Sequence, residues 1–301
     1  MSANTDVLTE INLDELVASF GWQDRPLLRR PLRRLFLKPA RAFARHMEEF
    51  DSTMGRLGLP EAARLAQRRY VRDVHVFREG PLPHGPFLAL ANHPGMTDTL
   101  SLFAALNRQD LKVIALDRPF LTSLPHTSER LFYVRENDLA SRTSLVRRVS
   151  THLRNGGAAL TFPAGHIEPD PDVHEGALES LQTWTESVGV FIRMAPETAV
   201  VPVLVRGVIW KKAARHPLLL FKRTREGREK LAATFQLLAH VMWQVKPVTV
   251  RVQIGRPITA KELGTTDPRA IHEAVLAEMR RLFSRRTEPP LAEHWALGYG
   301  P

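Results

Sequence analysis

FLALANHPGMTDTLSLFAAL, residues 87–106, is the stretch that decides the fold. Phe87–Ala91 is an unbroken apolar run of strand length, and Thr97–Leu106 has the spacing of a buried helix. Pro94 and Gly95 between them suit a tight strand-to-helix turn. A strand that passes straight into a helix is half of a βαβ unit. The same punctuation recurs on both sides. Val74–Phe77, Lys112–Leu116, Leu131–Arg135, Ala158–Phe162, Val200–Ile209 and Val248–Ile254 are short runs rich in β-branched or aromatic residues. Helical patterns at Ser141–Leu153, Ala177–Ser187, Arg228–Trp243 and Pro268–Phe283 separate many of them. Alternation of this kind predicts an α/β fold, a largely parallel sheet flanked by helices.

Upstream the pattern is helical and basic. Residues 25–50 read RPLLRRPLRRLFLKPARAFARHMEEF, with Leu28, Leu32, Leu35, Phe36, Phe43, Met47 and Phe50 at three- and four-residue spacing among eight Arg and Lys residues. Pro31 and Pro39 are expected to break it into short helices. A further helix is expected over Pro60–Val71. The reading is a mobile leader at 1–24, a basic amphipathic membrane-docking element at 25–72, an α/β domain at 73–284 and an irregular tail at 285–301.

The 301 residues carry a net charge of +10, which attracts anionic surfaces or phosphate-bearing molecules. There is no cysteine, so thiolate nucleophiles, disulfides and cysteine-ligated zinc are excluded. The polar, acidic start MSANTDVLTEINLDE is not a secretory signal, and no apolar run reaches the roughly 20 residues of a membrane span. These features predict a cytoplasmic protein held peripherally on the inner face of a membrane. Arg29, Arg30, Arg33, Arg34, Leu35 and Phe36 are the candidate contacts. Trp210 and Phe221 are added from the segment WKKAARHPLLLFKR, residues 210–223.

Four segments carry candidate chemistry. In Asn92-His93-Pro94-Gly95-Met96-Thr97-Asp98, a histidine at a strand's carboxyl end is placed as a general base. Asp98, five residues on, can reach back to one ring nitrogen and leave the other free. The alternative is a helix-capping Asp98 beside a surface histidine. In Phe162-Pro163-Ala164-Gly165-His166, the glycine brings backbone N–H groups to a strand tip, where they can steady an oxyanion. Leu131–Arg135 and Val200–Gly207 are strands ending in Arg135 and Arg206, which can bind one anion if their strands are neighbours.

Taken in chain order, Asn92–Asp98, Leu131–Arg135, Phe162–Glu168 and the strand with Val201-Pro202-Val203, the four segments resemble the glycerolphosphate and lysophospholipid acyltransferases, the His-x4-Asp family, over residues 85–210. The resemblance implies an α/β sheet preceded by membrane-binding helices. It implies transfer of a fatty acyl group from acyl-CoA or acyl carrier protein to a lipid hydroxyl, with His93 and Asp98 catalytic, Gly165 at the oxyanion and no cofactor. Arg135, Arg206, Phe162, Pro163, His166 and Glu168 are then the acceptor contacts. Ala164 and Ile167 stand where the family has the Glu and Arg it associates with glycerol phosphate. A phosphate-bearing acceptor in phospholipid synthesis is still the expectation, because the strands ending in Arg135 and Arg206 match the family, with a phosphate-free lipid as the alternative; acyl chain length, donor type and oligomeric state stay open.

Two other classes are weighed. His166-Ile167-Glu168-Pro169-Asp170-Pro171-Asp172-Val173-His174-Glu175 places imidazoles and carboxylates at alternate positions, the ligand types of a metal-dependent hydrolase, although a solvated acidic loop is the simpler expectation. The positive charge would permit nucleic-acid binding, but 7% aromatics and no zinc-finger spacing argue against it.

Overall fold

The computed structural model describes residues 3–20, 26–135, 137–246, 248–285 and 291–296. Eight strands form one sheet: β1 (Asp73–Arg78), β2 (Phe87–Ala91), β3 (Lys112–Leu116), β4 (Leu131–Val134), β5 (Ala158–Thr161), β6 (Ala199–Arg206), β7 (Thr249–Ile254) and β8 (Leu291–Ala296). Their order across the sheet is β4-β3-β5-β2-β6-β7-β1-β8. The first five run parallel, β7 and β1 run the other way, and β8 lies antiparallel on β1. The α/β reading holds.

The N-terminal helices are α1 (Ala3–Phe20), α2 (Pro26–Leu57) and α3 (Leu59–Tyr70). After β2 come α4 (Met96–Leu106), the short α5 (Pro119–Thr122) and α6 (Pro125–Glu129), and α7 (Leu139–Arg154). The later helices are α8 (Ser187–Met194), α9 (Lys211–Ala214), α10 (Arg225–Trp243), α11 (Ala260–Leu263) and α12 (Pro268–Ser284). Successive strand residues face opposite ways. Ala89, Val201, Val203 and Val250 join a core with α2, α3 and α4. Leu88, Leu90, Val200 and Leu204 join another with α7, α8 and α12. The sheet is thus covered on both faces, and β2 is buried along its whole length.

Several elements depart from the sequence reading. Helix α2 is continuous through Pro31 and Pro39. An interior proline costs about 3 kcal/mol. Against that cost stands a long buried stripe, Phe36, Ala40, Ala44, Met47, Phe50 and Met54, at three- and four-residue steps. Residues 3–20 are a packed helix and not a loose leader. Leu8, Leu13 and Val17 are buried, Phe20 stacks on Phe36 at 5.3 Å, and Arg33 pairs with Glu10 and Asp14. The helix expected over Ala177–Ser187 is a 3₁₀ turn at Glu179–Thr183, with α8 beginning only at Ser187. The tail expected to be irregular supplies β8, while residues 286–290 and 297–301 lie outside the described residues.

Candidate active site

The site forms where the three central strands end. Beyond Ala91, the Asn92 side chain carries on the pairing of β2 with β6: its Nδ2 donates to the Val205 carbonyl at 2.8 Å, and its Oδ1 accepts the Val205 N–H at 2.7 Å. This fixes the chain just before His93. The backbone then turns, and Asp98 in the first turn of α4 accepts the Gly95 N–H at 2.8 Å. A carboxylate is favoured at that position by the helix dipole.

Asp98 is fully buried, and the His93 side chain keeps 28% exposure. His93 Nδ1 lies 3.0 Å and 3.2 Å from the two Asp98 oxygens, one of which also accepts Thr99 Oγ1 at 2.9 Å. An acceptor-only carboxylate assigns the proton to Nδ1. The Nε2 lone pair then faces outward, and no described residue takes it. Phe162, at the end of β5, stacks on the imidazole with ring centres 4.4 Å apart. Burial pulls the His93 basicity down, while the Asp98 charge, its hydrogen bond and the Glu168 charge outweigh it, so the net shift is upward. This is the geometry of an oriented general base.

The loop after β5 is less solvated than expected. Glu168 is 1% exposed. It accepts the His93 N–H at 3.0 Å, Ser180 Oγ at 2.9 Å and Trp184 Nε1 at 2.9 Å, so its carboxylate is engaged by the protein and not offered to an acceptor. Asp170, also fully buried, accepts the N–H groups of Asp172, Gly207, Val208 and Ile209 at 2.6–2.9 Å. Among the described residues no three His, Asp or Glu side chains converge as a metal site would require. Asp170→Ala would strand donors that each cost about 1–3 kcal/mol when buried without a partner. Thermal unfolding should show a Tm several degrees below wild type; an unchanged Tm would mean the loop is not anchored this way.

Other expected site residues fall differently. The Gly165 N–H donates to the Phe162 carbonyl at 3.0 Å and closes a turn, so it is not available to an oxyanion. Its φ of +71° explains the glycine. Pro163 is buried and its carbonyl accepts the Thr185 N–H, while His166 is exposed. Arg135 and Arg206 do not converge on one anion. Their strands stand four positions apart in the sheet, about 19 Å at 4.8 Å per strand. Arg135 pairs with Asp117, and Arg206 lies 3.8 Å from Asp172 with two of its guanidinium nitrogens buried and unpartnered. Sequence reasoning gave no role to Asn92, whose partner Val205 is 113 residues away, or to Ser180 and Trp184, whose partner Glu168 read as a loop acid.

Of the candidate membrane contacts, Phe36 is buried against Phe20 and Leu238, Trp210 is half-buried against the core, and Arg33 is paired with α1. Leu35 is 64% exposed beside exposed Arg30 and Arg34, and Phe221 is 82% exposed; the Arg29 side chain lies outside the described residues. No helix among the described residues is long and apolar enough to cross a membrane. Two surface hollows, one between α2 and α3 and one basic, at Lys112, Arg147 and Arg148, lie away from His93.

No known family profile matches the chain, and no curated protein sequence matches it. Among solved structures the chain is similar to the crystal structure of the 1-acyl-sn-glycerophosphate (LPA) acyltransferase PlsC from Thermotoga maritima, at 17% identity, over 93% of this chain and 95% of that one, with a TM-score of 0.40.

Proposed function

We propose that this protein is an O-acyltransferase that moves a fatty acyl group from a thioester, acyl-CoA or acyl carrier protein, to a lipid hydroxyl at an anionic membrane surface. The observation that carries the reading is the His93–Asp98 pair at the carboxyl end of β2, with Nδ1 bound and Nε2 open. The order of the four sequence segments supplies the substrate classes. His93 Nε2 takes the hydroxyl proton as the acceptor oxygen attacks the thioester carbonyl. Asp98 supports the imidazolium that forms. The tetrahedral intermediate then expels the thiolate, to which His93 returns the proton. The chain has no cysteine, so a thiol-reactive dye reports released CoA without background from the protein. Purified protein should release CoA only when acyl-CoA and an acceptor lipid are both present; acceptor-independent release would make it a thioesterase.

A phosphate-free acceptor is favoured by one observation. The two arginines expected to bind a phosphate together are four strands apart, and Ile167 cannot replace the family's third. A phosphate-free lyso-lipid or glycolipid precursor needs no such pair of arginines, only a free hydroxyl within reach of His93.

For the membrane, the exposed residues redirect the proposal from the buried face of α2 to Leu35 and to Leu220 and Phe221, which are 83% and 82% exposed beside Lys222 and Arg223. Burying each such side chain contributes about 1.5–3 kcal/mol. Leu220→Glu with Phe221→Glu should weaken cosedimentation with phosphatidylglycerol-containing vesicles about 10-fold or more. Salt should weaken the wild type too. Equal binding by the variant, or equal binding to neutral vesicles, would refute this surface or its charge dependence.

A further inference from the structure

We propose that Glu168 is a positioning residue, whose two-way clasp on the His93 backbone fixes the direction in which the imidazole is presented. The inference rests on the reading of His93 as the base. The clasp joins residues 75 apart in sequence: the Glu168 carboxylate accepts the His93 N–H at 3.0 Å, and the Glu168 N–H donates to the His93 carbonyl at 2.8 Å. The peptide groups on both sides of His93 are therefore tied to one residue. The side chain has only its χ1 and χ2 left, and Asp98 and Phe162 hold those. Base, orienting acid and backbone anchor come from three different elements: the end of β2, α4 and the loop after β5.

Glu168 is itself held. Its other oxygen accepts Trp184 Nε1 and Ser180 Oγ, both at 2.9 Å, from the 3₁₀ turn at Glu179–Thr183 and its C-cap. Trp184 is 4% exposed within the core that α7, α8 and α12 form on the sheet. The anchor thus runs from the candidate base into rigid core. A carboxylate buried to 1% is expensive to retain: burial pushes the Glu168 carboxyl above the usual carboxylate range, and its three donors offset part of that cost. The charged groups facing the imidazole are Asp98 from α4 and Glu168 from the loop, and the stacked Phe162 is neutral. The two carboxylates act in the same direction on the ring, favouring its protonated form, which is the form reached as the acceptor proton is taken.

The test pairs Glu168→Gln and Glu168→Ala with two readouts on the full-length protein. The first is the titration of the His93 ring by NMR in the absence of substrate, and the second is steady-state kinetics. Glu168→Gln should lower the His93 pKa by about half a unit or more, because one of its two anionic neighbours is gone. Glu168→Ala should lower kcat about 100-fold with KM within threefold, and Glu168→Gln, which keeps a carbonyl for the His93 N–H, should recover part of that loss. If Glu168→Ala does not fold, the near-isosteric Gln variant carries both readouts. An unchanged His93 titration together with wild-type kcat in a folded Glu168→Gln protein would overturn the inference. If wild type transfers no acyl group but the titration shifts as expected, the clasp stands and the reading of His93 as a transferase base falls.

Discussion

His93→Ala should lower the rate of acyl transfer by about 10²- to 10⁴-fold, the contribution of a positioned general base, with thermal unfolding close to wild type. The fold should survive because the side chain is partly exposed and its backbone is held by Glu168 and by the neighbouring Asn92–Val205 pairing. The vacated space lies beside the intact Asp98 carboxylate, which still accepts the Gly95 N–H and Thr99 Oγ1. Added imidazole should therefore restore part of the rate. KM for both substrates should move little, since the imidazole is assigned to proton transfer and not to holding either one. A folded variant with near-wild-type turnover would remove His93 from the mechanism.

Asp98→Asn should cost a comparable factor for a different reason. The carboxylate satisfies three donors with two oxygens: His93 Nδ1–H, Gly95 N–H and Thr99 Oγ1–H. An amide has one oxygen. Either its NH₂ faces Nδ1 and moves the ring proton to Nε2, which disables the base, or it faces the Gly95 N–H and strains the start of α4. A fall of about 10²- to 10⁴-fold in kcat follows from the wrong tautomer. The pH profile separates this from simple damage. The His93 pKa is raised in the wild type, and the base works only when neutral. The rate should therefore rise with pH through a limb lying above about 6.5, the usual imidazole value. Loss of the Asp98 charge should move the residual limb to lower pH. A limb that stays in place would mean that Asp98 does not act on the His93 titration.

The parts of this architecture that were legible in the sequence are those fixed by local patterns. Phe87–Ala91 reads as a buried strand because all five residues are apolar, and Pro94-Gly95 marks the turn that α4 follows. His93 and Asp98 are close in sequence, so their pairing could be anticipated from spacing alone. What spacing could not supply was the strand order. Arg135 and Arg206 end similar strands, and only the insertion of β3, β5 and β2 between β4 and β6 separates them. Nor could local rules foresee an unbroken α2, whose prolines are tolerated because Phe36 through Met54 are buried by tertiary contacts. The carboxylates of residues 166–175 were misjudged for a related reason. Glu168 and Asp170 look like loop acids until their donors are known, and those come from Trp184 and from Gly207 to Ile209.

The central claim is tested most directly by following a radiolabelled acyl chain from acyl-CoA or acyl carrier protein into lipid, using the purified protein, anionic vesicles and a panel of phosphate-bearing and phosphate-free hydroxyl lipids. The account predicts transfer of label to the hydroxyl of at least one acceptor, with equimolar release of the thiol. That transfer should be lost in His93→Ala and strongly reduced in Asp98→Asn. Label that appears only as free fatty acid, or transfer that persists in a folded His93→Ala protein, would contradict it.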